Sequence, residues 1–227
     1  MGVTSGRRQP EPKPPGRHSK LWIKICGICD VQSANEVVRA GADAIGLNFI
    51  SRSKRYVTTA QASEIANAVR GAVEIVGVVE DLELTQAAEL RERLGLDRIQ
   101  MYDADKLSVG SELPNWAYIA VGIKEPEDVQ RLEHRSGTPV LVDACVAGKT
   151  GGTGTTFNWQ WVVDIAKRKH IVLAGGLTPT NVRDAIELVN PWGVDVASGV
   201  EYAGKPGMKD PELVARFIQR AREAADR

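Results

Sequence analysis

Short runs of apolar residues alternate along the chain with longer polar segments in which apolar positions recur at helical spacing. The runs have the length of strands, whereas several polar segments begin after an Asp or Thr and end at a Gly, as helices do. The run before Gly27 and the segment that ends at Gly41 are the first examples. The predicted strands are Leu21 to Cys26, Ala44 to Phe49, Glu74 to Val79, Arg98 to Tyr102, Ala117 to Gly122, Val140 to Ala144, His170 to Ala174 and Val194 to Ala197.

A helical segment follows each of the predicted strands. Strands that alternate with helices in this way run parallel and are joined by right-handed crossovers, and eight such units fit a closed barrel better than an open doubly wound sheet. The sequence therefore predicts an α/β fold, a (β/α)8 TIM barrel with eight parallel strands, as a single domain over residues 21–227. The predicted helices are Asp30 to Arg39, Thr59 to Arg70, Glu83 to Leu94, Pro126 to His134, Trp159 to Lys169, Thr180 to Val189 and Pro211 to Ala225, with a weaker segment at Lys106 to Glu112.

The composition is that of an ordinary globular chain, apart from its first residues. Residues 1–20 are rich in Pro, Gly and Arg and are predicted to form a disordered tail. Lys and Arg together number 29, as do Asp and Glu, and this balance excludes a global field that would attract nucleic acid or anionic lipid. No apolar run approaches the roughly 18 residues that span a bilayer. The odd number of cysteines, three, favours a reducing compartment, so the protein is predicted to be cytoplasmic, with monomer and homodimer both left open.

Two turns that contain glycine follow the seventh and eighth predicted strands, at Gly175-Gly176 and Ser198-Gly199. In a (β/α)8 barrel the functional groups lie where strands end, and these two loops are the common phosphate site of the fold. Glycine lets backbone N–H groups approach an anion without a Cβ in the way. The alternative is that these glycines only turn the chain. We favour a phosphate site, and hence a phosphorylated small molecule as the ligand.

Two reactive side chains end other predicted strands. Cys26 ends the first strand, and Asp143 lies at the end of the sixth. The isomerisation of a sugar needs one group that removes a carbon-bound proton and another that protonates an oxygen. A thiol becomes a base when a neighbouring cation or backbone dipole favours thiolate, and burial among apolar strands keeps a carboxyl group partly protonated. The alternatives are a packed core cysteine and a helix-capping aspartate.

Several short segments, in order from about residue 22 to the C-terminus, together resemble the phosphoribosylanthranilate isomerase family of tryptophan biosynthesis. Their ordered combination is more specific than any one of them. The segments are Lys24-Ile25-Cys26-Gly27-Ile28, Gly41-Ala42-Asp43, Arg55-Tyr56-Val57, Asp143-Ala144, Gly151-Gly152-Thr153-Gly154, Ala174-Gly175-Gly176-Leu177, Asn181-Val182, Ser198-Gly199-Val200-Glu201 and Lys209-Asp210.

The resemblance implies an Amadori rearrangement without a cofactor or a metal, from N-(5-phosphoribosyl)anthranilate to 1-(2-carboxyphenylamino)-1-deoxyribulose 5-phosphate. It implies Asp143 as the acid that opens the furanose ring and Cys26 as the base that removes the proton from C2′. Arg55 would pair with the anthranilate carboxylate through its planar fork. The predicted substrate-binding residues are Arg55, Gln100, Tyr102 and Asp195, and the predicted phosphate-binding residues are Gly175, Gly176, Ser198 and Gly199.

The chain departs from the family pattern after the fourth predicted strand. Where the family has Val-Gln-Leu-His-Gly, this chain has Ile99-Gln100-Met101-Tyr102-Asp103. A phenol thus replaces an imidazole, and a carboxylate replaces a glycine, near the expected substrate. This departure leaves two alternatives to the family reaction: an isomerase of the same fold for a different phosphorylated amino-sugar, and a non-catalytic homologue that binds a phosphorylated ligand.

Overall fold

The computed structural model describes residues 20–102, 113–133, 139–144 and 156–226, which form a closed barrel of eight parallel strands. Each strand pairs with the next along the chain, and the eighth closes the ring on the first. The predicted (β/α)8 barrel is confirmed. The strands are β1 (Trp22–Cys26), β2 (Ala44–Asn48), β3 (Glu74–Glu80), β4 (Arg98–Tyr102), β5 (Ala117–Ile123), β6 (Val140–Ala144), β7 (Ile171–Leu173) and β8 (Gly193–Val196).

Helices follow the strands, and their ends carry the caps that the sequence indicates. The Asp30 carboxylate accepts a hydrogen bond from the Ser33 N–H at 2.7 Å, and Gly95 ends another helix in the left-handed conformation. None of the described helices is long and apolar enough to cross a membrane. The helices are α1 (Val31–Arg39), α2 (Thr59–Val69), α3 (Leu84–Leu94), α4 (Gln130–Glu133), α5 (Val163–Ala166), α6 (Val182–Val189) and α7 (Pro211–Ala225).

Two of the predicted helices begin as tight 3-10 turns, over Pro126–Val129 and Trp159–Val162. The Asp128 carboxylate accepts from the backbone N–H groups that precede the first of these turns, and the Asn158 amide oxygen accepts from within the second. Such side-chain bonds satisfy the first N–H groups in a tight turn, so α4 and α5 are shorter than predicted. The predicted N-terminal tail, apart from Lys20, and the predicted segment at 106–112 lie outside the described residues.

The core has an outer and an inner layer, which the alternation along each strand separates. On β2, Ile45 and Leu47 pack outward against the helices with residues such as Ile65, whereas Ala44 points into the barrel. The apolar part of the inner layer comprises Ala44, Val76, Tyr118, Ala120, Leu141, Val172 and Ala174. Since these side chains pack in the barrel interior, the functional groups are expected at one end of the barrel.

Trp22 stacks on Trp192 where β1 and β8 begin, with their ring centres 5.3 Å apart. The indole N–H of Trp22 donates to Glu74 at 3.0 Å, at the start of β3. Stacked aromatic rings thus close the end of the barrel where the strands begin. The functional site is expected at the opposite end, where the strands finish.

Candidate active site

An open cavity of about 560 Å³ lies at the C-terminal end of the barrel. Side chains and backbone from six of the eight strands or the loops that follow them line it. Its walls carry a thiol, two carboxyl groups, a guanidinium and a phenol. The lining residues are Cys26, Asn48, Ile50, Ser53, Arg55, Tyr102, Asp143, Ala174, Gly175, Gly176, Leu177, Asp195, Val196, Ala197 and Ser198.

Cys26 and Asp143 line this cavity from β1 and β6, although they are 117 positions apart in the sequence. Both are buried, with exposures of 8% and 5%. A packed core cysteine or a capping aspartate would not reach a common solvent-filled cavity. The structure therefore brings together the two groups that the sequence singled out for proton transfer.

Beneath Cys26, the inward face of β1 carries a buried ion pair. The Lys24 ammonium donates to the Asp195 carboxylate at 2.7 Å, and Lys24 has no exposed surface. The two residues are direct partners in the register of β1 and β8, which places their side chains on the same face. Burial is the largest effect and lowers the pKa of Lys24, but the Asp195 carboxylate, Cys26 and Tyr118 together outweigh it and the net shift is upward. Lys24 is therefore a permanent cation at the floor of the cavity.

The pKa of the Cys26 thiol is higher than that of an ordinary thiol. Burial is the largest cause and raises it, while the Lys24 ammonium opposes burial without cancelling it. The sequence-based argument relied on a neighbouring cation to favour thiolate, and Lys24 is such a cation. Burial is nevertheless stronger, so Cys26 holds its proton at neutral pH in the free protein.

The pKa of the Asp143 carboxyl is raised to about 6. Burial is the main cause, the hydrogen bond from Tyr102 opposes it, and the nearby Asp195 carboxylate adds to it. The expectation that burial keeps this group partly protonated thus agrees with the direction of the shift. An acid with a pKa near neutrality delivers its proton more readily at physiological pH than an ordinary aspartate does.

The two turns at the end of β7 and β8 present backbone N–H groups to one side of the cavity. Within the described ranges, the N–H groups of Gly175, Gly176, Ser198 and Gly199 donate to no other group. The Asn181 side chain fixes the first turn, because it donates to the Gly176 carbonyl at 3.0 Å and accepts from the Thr178 N–H at 2.8 Å. Free N–H groups on two adjacent turns are suited to the oxygens of an anion.

Glycine is required at two of these positions for separate reasons. Gly175 has a φ of +83°, and a Cβ there would lie 2.3 Å from the Ala144 nitrogen. A Cβ on Gly199 would lie 1.9 Å from the Leu177 carbonyl oxygen, so the two turns pack directly on each other. Close backbone packing is what brings the N–H groups of the two turns to one place.

The guanidinium of Arg55 is held by Glu201 at the rim. Nε and Nη2 of Arg55 donate to the two carboxylate oxygens of Glu201, each at 2.7 Å. Glu201 also accepts from the Lys209 ammonium at 2.9 Å and from the Gly207 N–H at 3.1 Å. In the described part of the chain nothing bonds to Nη1 of Arg55, and this group remains for a ligand in the cavity.

Gln100 and Gly199 are the predicted binding residues that do not line the cavity. Gln100 is fully buried, and its amide oxygen accepts from the Tyr118 hydroxyl at 3.1 Å. It precedes Tyr102 by two residues on β4, so its inward side chain lies one layer deeper in the barrel. Gly199 follows Ser198 in the same turn, where its lack of a Cβ allows the turn to pack against Leu177. Asp103 and the segment 151–154 lie outside the described residues.

Sequence reasoning passed over three charged residues of the site: Lys24, Glu201 and Lys209. The sequence did contain a signal for Lys24. It lies two residues before Cys26 in an apolar strand, so both side chains point into the barrel, and a buried lysine needs a partner of opposite charge. Glu201 and Lys209 stand within segments that carried the family resemblance, but nothing in the sequence connects them to Arg55. Among the described residues, no group of three or more His, Cys, Asp or Glu side chains is placed to hold a metal ion.

Comparison with known proteins identifies one family. The family model described as "N-(5'phosphoribosyl)anthranilate (PRA) isomerase" matches residues 23–220. The N-(5'-phosphoribosyl)anthranilate isomerase of Thermotoga neapolitana is 41% identical over 204 residues, which cover 88% of this chain and 98% of that protein.

Solved structures agree with this match. The phosphoribosyl anthranilate isomerase of Thermotoga maritima superposes with a TM-score of 0.77 at 32% identity, over 89% of this chain and 99% of that one. A further structure of such an isomerase, in complex with reduced 1-(o-carboxyphenylamino)-1-deoxyribulose 5-phosphate, has a TM-score of 0.73 at 30% identity, with coverage of 89% and 99%.

Proposed function

This chain belongs to the N-(5'-phosphoribosyl)anthranilate isomerase family, and we infer that it catalyses the Amadori rearrangement of that substrate with Asp143 as the acid and Cys26 as the base. The observation that carries this assignment is that both groups line one cavity beside two turns with free N–H groups. The product is 1-(2-carboxyphenylamino)-1-deoxyribulose 5-phosphate.

The first step opens the ribose ring. Asp143 gives its proton to the ring oxygen as the bond between that oxygen and C1′ breaks, and the lone pair of the substrate nitrogen forms a double bond to C1′. The product of this step is a protonated Schiff base. The raised pKa of Asp143, about 6, suits this step because the proton is held less tightly than by a solvent alcohol and more tightly than by an ordinary aspartate.

The second step removes the proton from C2′. The Cys26 thiolate takes this proton, the electrons of the C–H bond form a C1′–C2′ double bond, and the electrons of the C–N double bond return to nitrogen. The resulting enolamine tautomerises to the ketone. Lys24 and Lys209 are the cations whose charge favours the thiolate form of Cys26, against its burial.

In the free protein, the protonation of Cys26 and Asp143 is the reverse of what catalysis needs, which is a deprotonated Cys26 and a protonated Asp143. With one proton shared between them, the major form holds it on Cys26, because the pKa of the thiol lies above that of Asp143. The active form, with thiolate and carboxylic acid, has the same charge and is a minor tautomer of it. Activity is therefore expected to rise with pH around the pKa of Asp143 and to fall around that of Cys26.

The phosphate of the substrate is assigned to the two turns after β7 and β8. Gly175, Gly176, Ser198 and Gly199 offer N–H donors there, and no bulky side chain separates the turns. The anthranilate carboxylate is assigned to Nη1 of Arg55, which the Glu201 carboxylate holds in place from behind. Charge at both ends of the substrate thus fixes the reacting carbons between acid and base.

The direct test is an assay of the purified protein with N-(5'-phosphoribosyl)anthranilate, in which turnover appears as loss of substrate fluorescence. Rescue of a tryptophan auxotroph that lacks the isomerase is the companion test in cells. Turnover together with rescue is the expected result. Tight binding of a phosphorylated ligand without turnover or rescue would instead support the non-catalytic homologue, and turnover of another phosphorylated amino-sugar would support the isomerase of different specificity.

Glu201→Gln is expected to raise KM about fivefold and to leave kcat nearly unchanged, since about 1 kcal/mol of binding is lost when Arg55 is poorly oriented. The glutamine amide turns a donor toward Nη2 of Arg55, where the carboxylate presents an acceptor at 2.7 Å. Steady-state kinetics gives both constants, with Glu64→Gln on α2 as the matched change away from the cavity. A KM equal to that of the wild type would remove Glu201 from the binding site.

We further propose a cytoplasmic location and a monomeric or homodimeric state, with no nucleic-acid partner. The support for this proposal is the odd cysteine number and the balance of 29 basic and 29 acidic residues.

A further inference from the structure

The Tyr102 hydroxyl donates a hydrogen bond to Oδ2 of Asp143 at 2.9 Å. Tyr102 ends β4, whereas Asp143 lies on β6, so this bond passes across the intervening strand β5. In the register of the sheet, Tyr102 pairs with Ala120 and Asp143 pairs with Gly122. The two residues of β5 that lie between the phenol and the carboxyl group are therefore small.

Small side chains on β5 are what allows this contact. A larger residue at position 120 or 122 would stand on the inward face between the partners, because side chains two apart on a strand share a face. The phenol ring also packs against the cluster that contains Cys26 and Val78. The ring thus packs against the cluster that contains the proposed base, and its hydroxyl reaches the proposed acid.

The two oxygens of Asp143 have different surroundings. Oδ2 accepts from Tyr102, whereas Oδ1 lies 3.0 Å from the position that a Cβ on Gly175 would occupy. Gly175 lines the cavity and belongs to the turn with free N–H groups. The backbone N–H of Ala144 also donates to this carboxylate. Of the two oxygens, Oδ1 is the one next to Gly175, in the turn to which the phosphate is assigned.

We propose that Tyr102 is a positioning residue for the acid: its hydroxyl occupies Oδ2 of Asp143, so that the transferable proton is carried on Oδ1, facing the substrate. This role rests on the proposed function, and it goes beyond the substrate contact that the sequence assigned to Tyr102. A hydroxyl that donates to Oδ2 disfavours a proton on that oxygen, so a protonated Asp143 carries its proton on Oδ1.

Among the described residues, the groups that act on the charge of Asp143 are Tyr102 on β4, Asp195 on β8, Lys24 on β1 and the backbone N–H of Ala144. Tyr102 stays neutral throughout the working range, since burial and then the Asp143 carboxylate raise its pKa well above 10. Its hydrogen bond lowers the pKa of Asp143, as does the Lys24 charge, while Asp195 raises it. Removal of the phenol oxygen must therefore raise the pKa of Asp143.

The test is a ¹³C NMR titration of the Asp143 carboxyl carbon in the free protein, for the wild type and for Tyr102→Phe. We expect a pKa near 6 in the wild type and an upward shift of about one unit in the variant, the amount expected for one hydrogen bond to a charged group. Tyr118→Phe is the matched control, because it removes a buried hydroxyl that bonds to Gln100 instead. An Asp143 pKa that stays the same in Tyr102→Phe, or that moves equally in Tyr118→Phe, overturns the proposal.

A second measurement needs no variant. The ring carbon that bears the Tyr102 hydroxyl should report the titration of Asp143, with the same midpoint near 6, since its hydrogen-bond partner gains a proton there. The corresponding carbon of Tyr118 should not move at this midpoint. A flat Tyr102 signal contradicts the proposal even if Tyr102→Phe fails to fold.

Kinetics separates this role from a merely structural one. The acidic limb of the kcat/KM profile should move to higher pH by about one unit in Tyr102→Phe, with KM little changed, whereas loss of packing alone lowers kcat and leaves the limb in place. The titrations are made without substrate, so they test the positioning role even if the protein fails to turn over N-(5'-phosphoribosyl)anthranilate.

Discussion

Cys26→Ala is expected to lower kcat at least about a thousandfold, because a methyl group cannot take the proton from C2′ and no second base replaces it. The thiol lies in a cavity wall at 8% exposure, and the other carboxylates among the described lining residues have fixed partners: Asp195 is bound to Lys24, and Asp143 is bound to Tyr102. The measurement is single-turnover and steady-state fluorescence with N-(5'-phosphoribosyl)anthranilate. KM is expected to change little, since the binding groups at both ends of the substrate remain.

Cys29→Ala is the matched control for this experiment. Cys29 is a free cysteine three residues further along, and its Sγ contacts the Gly27 and Arg55 carbonyl oxygens at 3.7 Å, outside the cavity lining. It is expected to keep the kcat of the wild type. Equal losses in the two variants, or a Cys26→Ala protein that rescues the auxotroph as well as the wild type does, would assign the base to another residue.

The barrel was predictable because its determinants are local. Each strand is a short apolar run, and caps such as Asp30 and Gly95 mark where helices begin and end. A parallel strand followed by a helix admits essentially one handedness of connection, so eight such units leave few alternatives to a ring. The lengths of α4 and α5 were not predictable, since side-chain bonds that tighten the preceding turns compete with the helical pattern.

The positions of the proposed acid and base were predictable for a similar reason. Cys26 and Asp143 lie at strand ends, and a barrel brings all its strand ends to one rim. Their pKa values were not predictable, because they depend on how strongly burial opposes neighbouring charge. For Cys26 the sequence argument called for a neighbouring cation without identifying Lys24, and it left out burial, which is the larger effect and raises the pKa of the thiol.

The partners of the charged residues could not be read from the sequence. Lys24 and Asp195 are separated by 171 positions, and Arg55 and Glu201 by 146. Which pairs meet depends on the register between β1 and β8 and on how the last loop folds back over the rim. Gln100 shows the same limit on a smaller scale, because two residues along one strand decide whether a side chain reaches the cavity or lies beneath it.

Lys24→Met is expected to lower the free energy of unfolding by about 3–5 kcal/mol, because it leaves the buried Asp195 carboxylate without its partner. Methionine keeps the length of the side chain within the barrel, so the main loss is the charge at 2.7 Å from Asp195. Chemical denaturation followed by circular dichroism gives the change. Lys20→Met is the matched control, since Lys20 forms a pair with Asp43 at 3.0 Å at an exposed position, and its loss should cost at most about 1 kcal/mol.

The double variant Lys24→Met with Asp195→Asn decides whether the effect comes from the unpaired charge. Each single change leaves one buried charge alone, whereas the double change leaves none, so it should be less destabilising than the sum of the two single changes by at least about 2 kcal/mol. Additive losses would mean that Lys24 stabilises the barrel through packing. In that case its charge would also have little influence on Cys26, because the same short distances within the barrel floor govern both interactions.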